Sequence, residues 1–215
     1  MNKDSLGGNM ERLINNISEL LQQELGLTEE RKEVAAYGLY VFISSITGIV
    51  SIVVVGFLLG ILKLALVAVL TASGLRVLSG GAHSANLRNC TLLGMIVSPG
   101  IAMLAEKLGH KIPTVSMYSL VFVVGLFALW AIITYAPADT PNKPIISEDY
   151  RRRLRNLALV YLSIWAVVII FNISGTLFSP AYDLVLASTL GILWQAFSLT
   201  PGGYKLVAFI DGILP

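Results

Sequence analysis

His83 and Cys90 stand seven residues apart in the segment Arg76-Val-Leu-Ser-Gly-Gly-Ala-His-Ser-Ala-Asn-Leu-Arg-Asn-Cys90. A cysteine nucleophile attacks as the thiolate, so it needs a base or cation beside it, and histidine is the usual partner. The spacing sets a condition on that chemistry. Along a straight helix, seven residues return to nearly the same face but climb about 10.5 Å, too far for an imidazole to reach a sulfur. The segment is therefore expected to be bent or interrupted, with Gly80 and Gly81 turning it. By residue type alone, a blander account also stands, in which a buried free cysteine is simply a small hydrophobe. Cys90 is the only cysteine, which excludes a disulfide within the chain. Cys90, His83 and His110 lack the paired spacing of a structural zinc site, so neither a metal nor another cofactor is expected.

The surrounding elements must position this segment in a very apolar chain. Of the 215 residues 55% are hydrophobic and 13% charged, and the mean hydropathy is +0.77. An ordinary soluble globule is excluded. Six crossings at about 20 residues each would consume most of the apolar residues and leave little for a water-soluble core. The net charge of +2 is too small to suggest a nucleic-acid partner. No cleavable signal peptide is expected, because charges interrupt the first 33 residues throughout.

The expected fold class is an all-α polytopic membrane protein: an N-terminal amphipathic interfacial helix followed by about six transmembrane helices. Residues 1–33 form the first unit, since Met10, Leu13, Ile14, Ile17, Leu20, Leu21 and Leu25 recur at helical spacing between polar residues. Its acidic polar face favours packing on the protein or on a second copy over binding anionic lipid. Residues 34–215 form the transmembrane unit, with apolar runs at roughly 34–60, 62–79, 91–108, 115–135, 156–178 and 182–199. The third run has a short apolar core containing Pro99, a length that also fits a re-entrant segment. Counting cations favours six crossings with both termini in the cytoplasm, because only Lys63, Lys107 and Lys111 of the 15 basic residues then lie outside. This topology gathers the segment from Arg76 to Cys90, the loop from Pro137 to Arg155 and the C-terminal tail on the cytoplasmic face.

The pattern Arg76-x3-Gly80-Gly81-x-His83-x6-Cys90 resembles the accessory gene regulator protein B (AgrB) family, membrane cysteine endopeptidases of Gram-positive quorum sensing. The loop Tyr135-Ala-Pro-Ala-Asp-Thr-Pro-Asn-Lys-Pro144 and the tail Thr200-Pro-Gly-Gly-Tyr-Lys205 are similar to features of that family in the same order. The resemblance implies a catalytic pair, with Cys90 as nucleophile and His83 as general base and acid. It also implies an AgrD-type propeptide as substrate, which loses its C-terminal tail and closes into a thiolactone or lactone ring through an acyl-thioester.

Other roles follow less directly. Propeptides of this kind carry acidic tails, so Lys143, Arg151 and Arg152 are candidate substrate contacts. The arginine run Arg151, Arg152, Arg153 and Arg155 also suffices to hold its loop in the cytoplasm. Arg76, near the end of its crossing, is expected to pair with a polar group or with substrate. Asn86 or Asn89 is a candidate third member orienting His83, though capping of a local turn explains either equally well. Oxyanion donors are expected among backbone amides near Cys90. Gly56 and Gly60 form a small-xxx-small pattern that hints at a homodimer. The alternative from another class is a small non-enzymatic transporter or sensor. It would need ionisable groups distributed through several helices, and the centres of the apolar runs hold almost none.

Overall fold

In the computed structural model the described residues are 5–82, 84, 87–138, 147–176 and 179–213. The chain is a polytopic helical membrane protein, and no strand occurs among the described residues. Helix α1 (Ser5–Leu25) turns at residues 26–28 into α2 (Glu29–Leu58), whose start is capped by Thr28 accepting from the Arg31 amide at 3.4 Å. Glu29 and Glu30 in that first turn suit the positive end of the helix dipole. Ile14 and Ser18 of α1 are buried, whereas Leu13, Leu20 and Leu25 remain exposed, so only one edge of the amphipathic face is covered.

Among the described residues five helices are long and apolar enough to cross a membrane: α3 (Leu62–Ser79), α4 (Leu87–Leu108), α5 (Thr114–Tyr135), α6 (Glu148–Ile173) and α7 (Tyr182–Leu199). The 30 residues of α2 span about 45 Å. Among its described residues an apolar stretch runs over Ile46–Leu58. The third apolar run is a continuous helix through Pro99 that continues into a 3-10 turn at Gly109–Lys111, not a re-entrant hairpin. The fifth begins earlier than its hydropathy suggests, because Ser147 caps the helix by accepting from the Tyr150 amide at 3.4 Å. Arg151, Arg152, Arg153 and Arg155 therefore stand on the first turns of α6 rather than in a loop.

Helix α7 is the centre of the bundle. It packs against α3, α4, α5, α6 and the C-terminal helix α8 (Pro201–Ile213). Of its apolar window 61% is buried inside the protein, against 28–33% in the other four spans, whose remaining faces are left for lipid. Small residues permit this packing: a Cβ on Gly191 would come 2.6 Å from the Ala68 carbonyl oxygen of α3. Side-chain hydrogen bonds join the same helices, with Trp165 Nε1 donating to Ser188 Oγ at 2.9 Å and Tyr161 Oη to the Thr71 carbonyl at 3.0 Å. Gly56 and Gly60 serve the α2–α3 hairpin. A Cβ on Gly56 would meet Leu62 Cα at 3.1 Å, and Gly60 takes φ +73° at the turn.

Candidate active site

Where α3 ends, the chain leaves the helix abruptly. Gly80 adopts φ +69° and ψ −150°, and Gly81 follows at φ +137°. Neither value suits a residue with a Cβ, and the surroundings leave no room for one. On Gly80 it would lie 2.5 Å from the Ala138 carbonyl oxygen, and on Gly81 2.7 Å from Ser198 Oγ. The bared backbone is then stitched to two distant segments. The Ala138 amide donates to the Ser79 carbonyl at 2.9 Å, and the Ala82 amide to the Ser198 carbonyl at 2.9 Å. The segment expected to bend is thus interrupted between α3 and α4, and it is held against the end of α5 and the end of α7.

Two side chains lock this arrangement. Gln195 of α7, almost wholly buried, donates through Nε2 to the Gly80 carbonyl at 2.7 Å and to Ser79 Oγ at 3.1 Å. Its Oε1 accepts from Arg76 Nη1 at 3.3 Å. Arg76 also donates through Nη2 to the Ala82 carbonyl at 2.5 Å and, at the limit of hydrogen-bond distance, through Nη1 to Ser198 Oγ at 3.5 Å. The guanidinium is planar, with five donors in a fixed fork, and it bridges the peptide preceding His83 to α7. Its cost of burial near the membrane boundary is met by these acceptors.

Cys90 lies in the first turn of α4, partly exposed. It interacts electrostatically with Arg76 and with Asp211 of α8. Asp211 Oδ1 accepts from Ser84 Oγ at 2.5 Å and from Asn89 Nδ2 at 3.0 Å. Asn89 is fully buried. The C-terminal tail therefore folds as a helix whose last turn reaches the cysteine segment. Its reversal after α7 is tight: Thr200 Oγ1 accepts from the Gly203 amide at 3.3 Å, and Pro201 occupies the first helical position.

The other sequence candidates divide. His83, Asn86 and Lys143 lie outside the described residues. Arg151 Nη1 donates to the Pro137 carbonyl at 3.4 Å and Arg155 Nε to the Ala136 carbonyl at 2.8 Å, so both tie α6 to the connection after α5. Arg152 is exposed. Among the described residues no group of three or more His, Cys, Asp or Glu side chains could hold a metal ion. Gln195, Ser198 and Asp211 were not legible as site residues. The available signals were polar groups three residues apart in an apolar helix and a lone acid in an apolar tail.

A family model described as accessory gene regulator B matches residues 14–199. A "Putative AgrB-like protein" of Clostridium perfringens (strain SM101 / Type A) is 35% identical over 213 residues, covering 94% of this chain and 96% of its own. "Putative AgrB-like protein 2" of Clostridium perfringens (strain 13 / Type A) is 34% identical over 214 residues, covering 93% and 97%. One from Listeria innocua serovar 6a is 27% identical over 173 residues, covering 80% and 78%. No solved structure matches the chain.

Proposed function

The chain belongs to the accessory gene regulator B family, and from that premise we propose that it is a membrane cysteine endopeptidase acting on an AgrD-type propeptide. It removes the propeptide's C-terminal tail and promotes closure of the remainder into a thiolactone or lactone ring. The observation that carries the reading is the Arg76 fork. It holds the Ala82 carbonyl, one residue before His83, while interacting electrostatically with Cys90.

In this mechanism Cys90 Sγ attacks the scissile carbonyl while His83 takes its proton. The nearby guanidinium offsets part of what burial and the Asp211 carboxylate cost an anionic sulfur. His83 then protonates the departing amine, leaving the peptide as a thioester on Cys90. A nucleophilic side chain within the peptide, a thiol or a hydroxyl, displaces Cys90 and closes the ring. With a peptide thiol, one thioester replaces another, so no energy-supplying cofactor is needed provided water is excluded. Backbone amides at the start of α4 are the candidate oxyanion donors. Exposed Arg152, together with Lys143, is the candidate contact for an acidic tail. We place this site at the cytoplasmic face, with both termini on the same side.

Co-expression with a cognate propeptide tests the reading. Tail release is expected from the wild type and lost in Cys90→Ala and His83→Ala. Retained cleavage in Cys90→Ala would sink it. Because Cys90 is the only cysteine, an impermeant maleimide reports the site's orientation directly, and labelling only from outside would overturn the topology.

A further inference from the structure

The carboxylate of Asp211 contacts the segment that bears the proposed catalytic pair, and it comes from the last turn of α8. An anion there opposes the helix dipole, whose C-terminal end is already negative. Such a local conflict persists where something else compensates it, and functional sites are where such conflicts gather. Here the compensation is visible: one oxygen accepts from both Ser84 and Asn89. Those two residues are the chain neighbours of His83 and Cys90. A carboxylate suits the task, since its two oxygens offer about four acceptor positions.

On the opposite flank, Arg76 holds the Ala82 carbonyl, the other neighbour of His83. The segment from 82 to 90 is thereby gripped at three points by two charged side chains from different helices. Reacting groups must be held within about 0.5 Å of productive geometry, and at residues 80–82 and 84, where the chain has left α3, contacts from other helices take the place of a helix's own hydrogen bonds. We infer that Asp211 is a positioning residue of this site, its carboxylate clamping Ser84 and Asn89 so that α8 closes the segment carrying His83 and Cys90. The inference rests on the peptidase reading for its catalytic meaning, while the clamp itself is a structural claim that can be measured without a substrate.

Asp211→Ala removes the acceptor, whereas Asp211→Asn keeps one oxygen in the same place. Two readouts apply to the full chain in membranes: the rate at which an impermeant maleimide alkylates Cys90, and cleavage of the same propeptide used to test Cys90. Asp211→Ala should alkylate about threefold faster or more and lose about thirtyfold in kcat with KM within about twofold, because positioning and not binding is lost. Asp211→Asn should lie within about fivefold of wild type on both readouts, since it keeps the acceptor. If Asp211→Ala does not fold, Ser84→Ala takes its place, with alkylation expected to rise by about twofold after losing one of the two bonds. Wild-type alkylation in Asp211→Ala, or in Ser84→Ala as its substitute, overturns the clamp. So does an Asp211→Asn as defective as Asp211→Ala, which would make charge and not acceptor geometry the role. Cleavage that does not depend on Cys90 would instead overturn the peptidase reading, and the alkylation series would still decide the clamp.

Discussion

Replacing Gly80 with alanine should separate the site's backbone geometry from the stability of the bundle. At φ +69° and ψ −150°, Gly80 occupies a region nearly reserved to glycine, where an L side chain costs about 1–3 kcal/mol. The new Cβ would also stand 2.5 Å from the Ala138 carbonyl oxygen and 3.2 Å from its nitrogen. Both obstacles are backbone, so rotating a side chain gives no relief. Moving residue 138 away breaks its amide's 2.9 Å bond to the Ser79 carbonyl, a net loss of about 0.5–1.5 kcal/mol. The combined penalty is about 2–4 kcal/mol, and it falls on the junction of α3, the end of α5 and Gln195 of α7 rather than on the lipid-facing spans. Misplacement of a reacting group by about 1 Å can reduce turnover about a hundredfold, so propeptide cleavage should fall by that order. Tail release is followed by mass spectrometry, and unfolding by the reaction of the single thiol with a fluorogenic maleimide during heating. Gly100→Ala is the control, because a Cβ there meets nothing within 4 Å. A Gly80→Ala protein that melts and cleaves like Gly100→Ala would refute the reasoning.

Arg76→Lys should also be defective despite keeping the charge, because one ammonium cannot reproduce the fork between the Ala82 carbonyl and Gln195. Cleavage is expected to fall about 10- to 100-fold, with restoration to wild-type rate refuting the bridging role. Trp165→Phe removes the 2.9 Å bond to Ser188 at the α6–α7 contact. It should lower bundle stability by about 1 kcal/mol and leave cleavage intact, as read by thermal unfolding beside turnover. The Gln22 amide, foremost, and Lys32 hold the Glu29 carboxyl below the usual carboxylate range. Its contribution to the α1–α2 corner is therefore present at neutral pH and lost as pH falls through and below that range. Limited proteolysis at residues 26–28 should accelerate on acidification in wild type but show no such dependence in Glu29→Gln.

Hydropathy disclosed the helices because lipid imposes a single rule on every span: backbone groups must be satisfied within the segment and the outer face must be apolar. The same rule hid helix ends. α6 begins at Glu148, in a charged stretch that hydropathy assigns to a loop, because Ser147 supplies a cap and Glu148 and Asp149 suit the dipole. Hydropathy is likewise blind to continuity. Pro99 looked like a possible break, yet α4 runs through it to Leu108. Gly56 and Gly60 looked like a surface for a second copy, but the first is taken up by α3 of the same chain and the second by the turn. A small-residue pattern identifies a close approach without saying which helix makes it.

The site was legible to the extent that its chemistry is local. Gly80, Gly81 and Arg76 announce themselves because left-handed backbone and a cation at a membrane boundary both demand explanation from a few residues of sequence. Asp211 does not, because its meaning lies in a contact across 122 positions to Asn89. In isolation an aspartate near the end of an apolar tail reads as a solubilising charge. Gln195 and Ser198 are hidden for a related reason: a helix interior tolerates a glutamine only when its amide finds partners, and those partners, Gly80 and Arg76, come from a different helix end. What marks all three is a polar group where the local environment disfavours it. Membrane chains make that signal sharper than soluble ones do, since within the bilayer no water stands ready to satisfy a misplaced donor or acceptor, and a polar side chain retained there must be meeting another part of the fold.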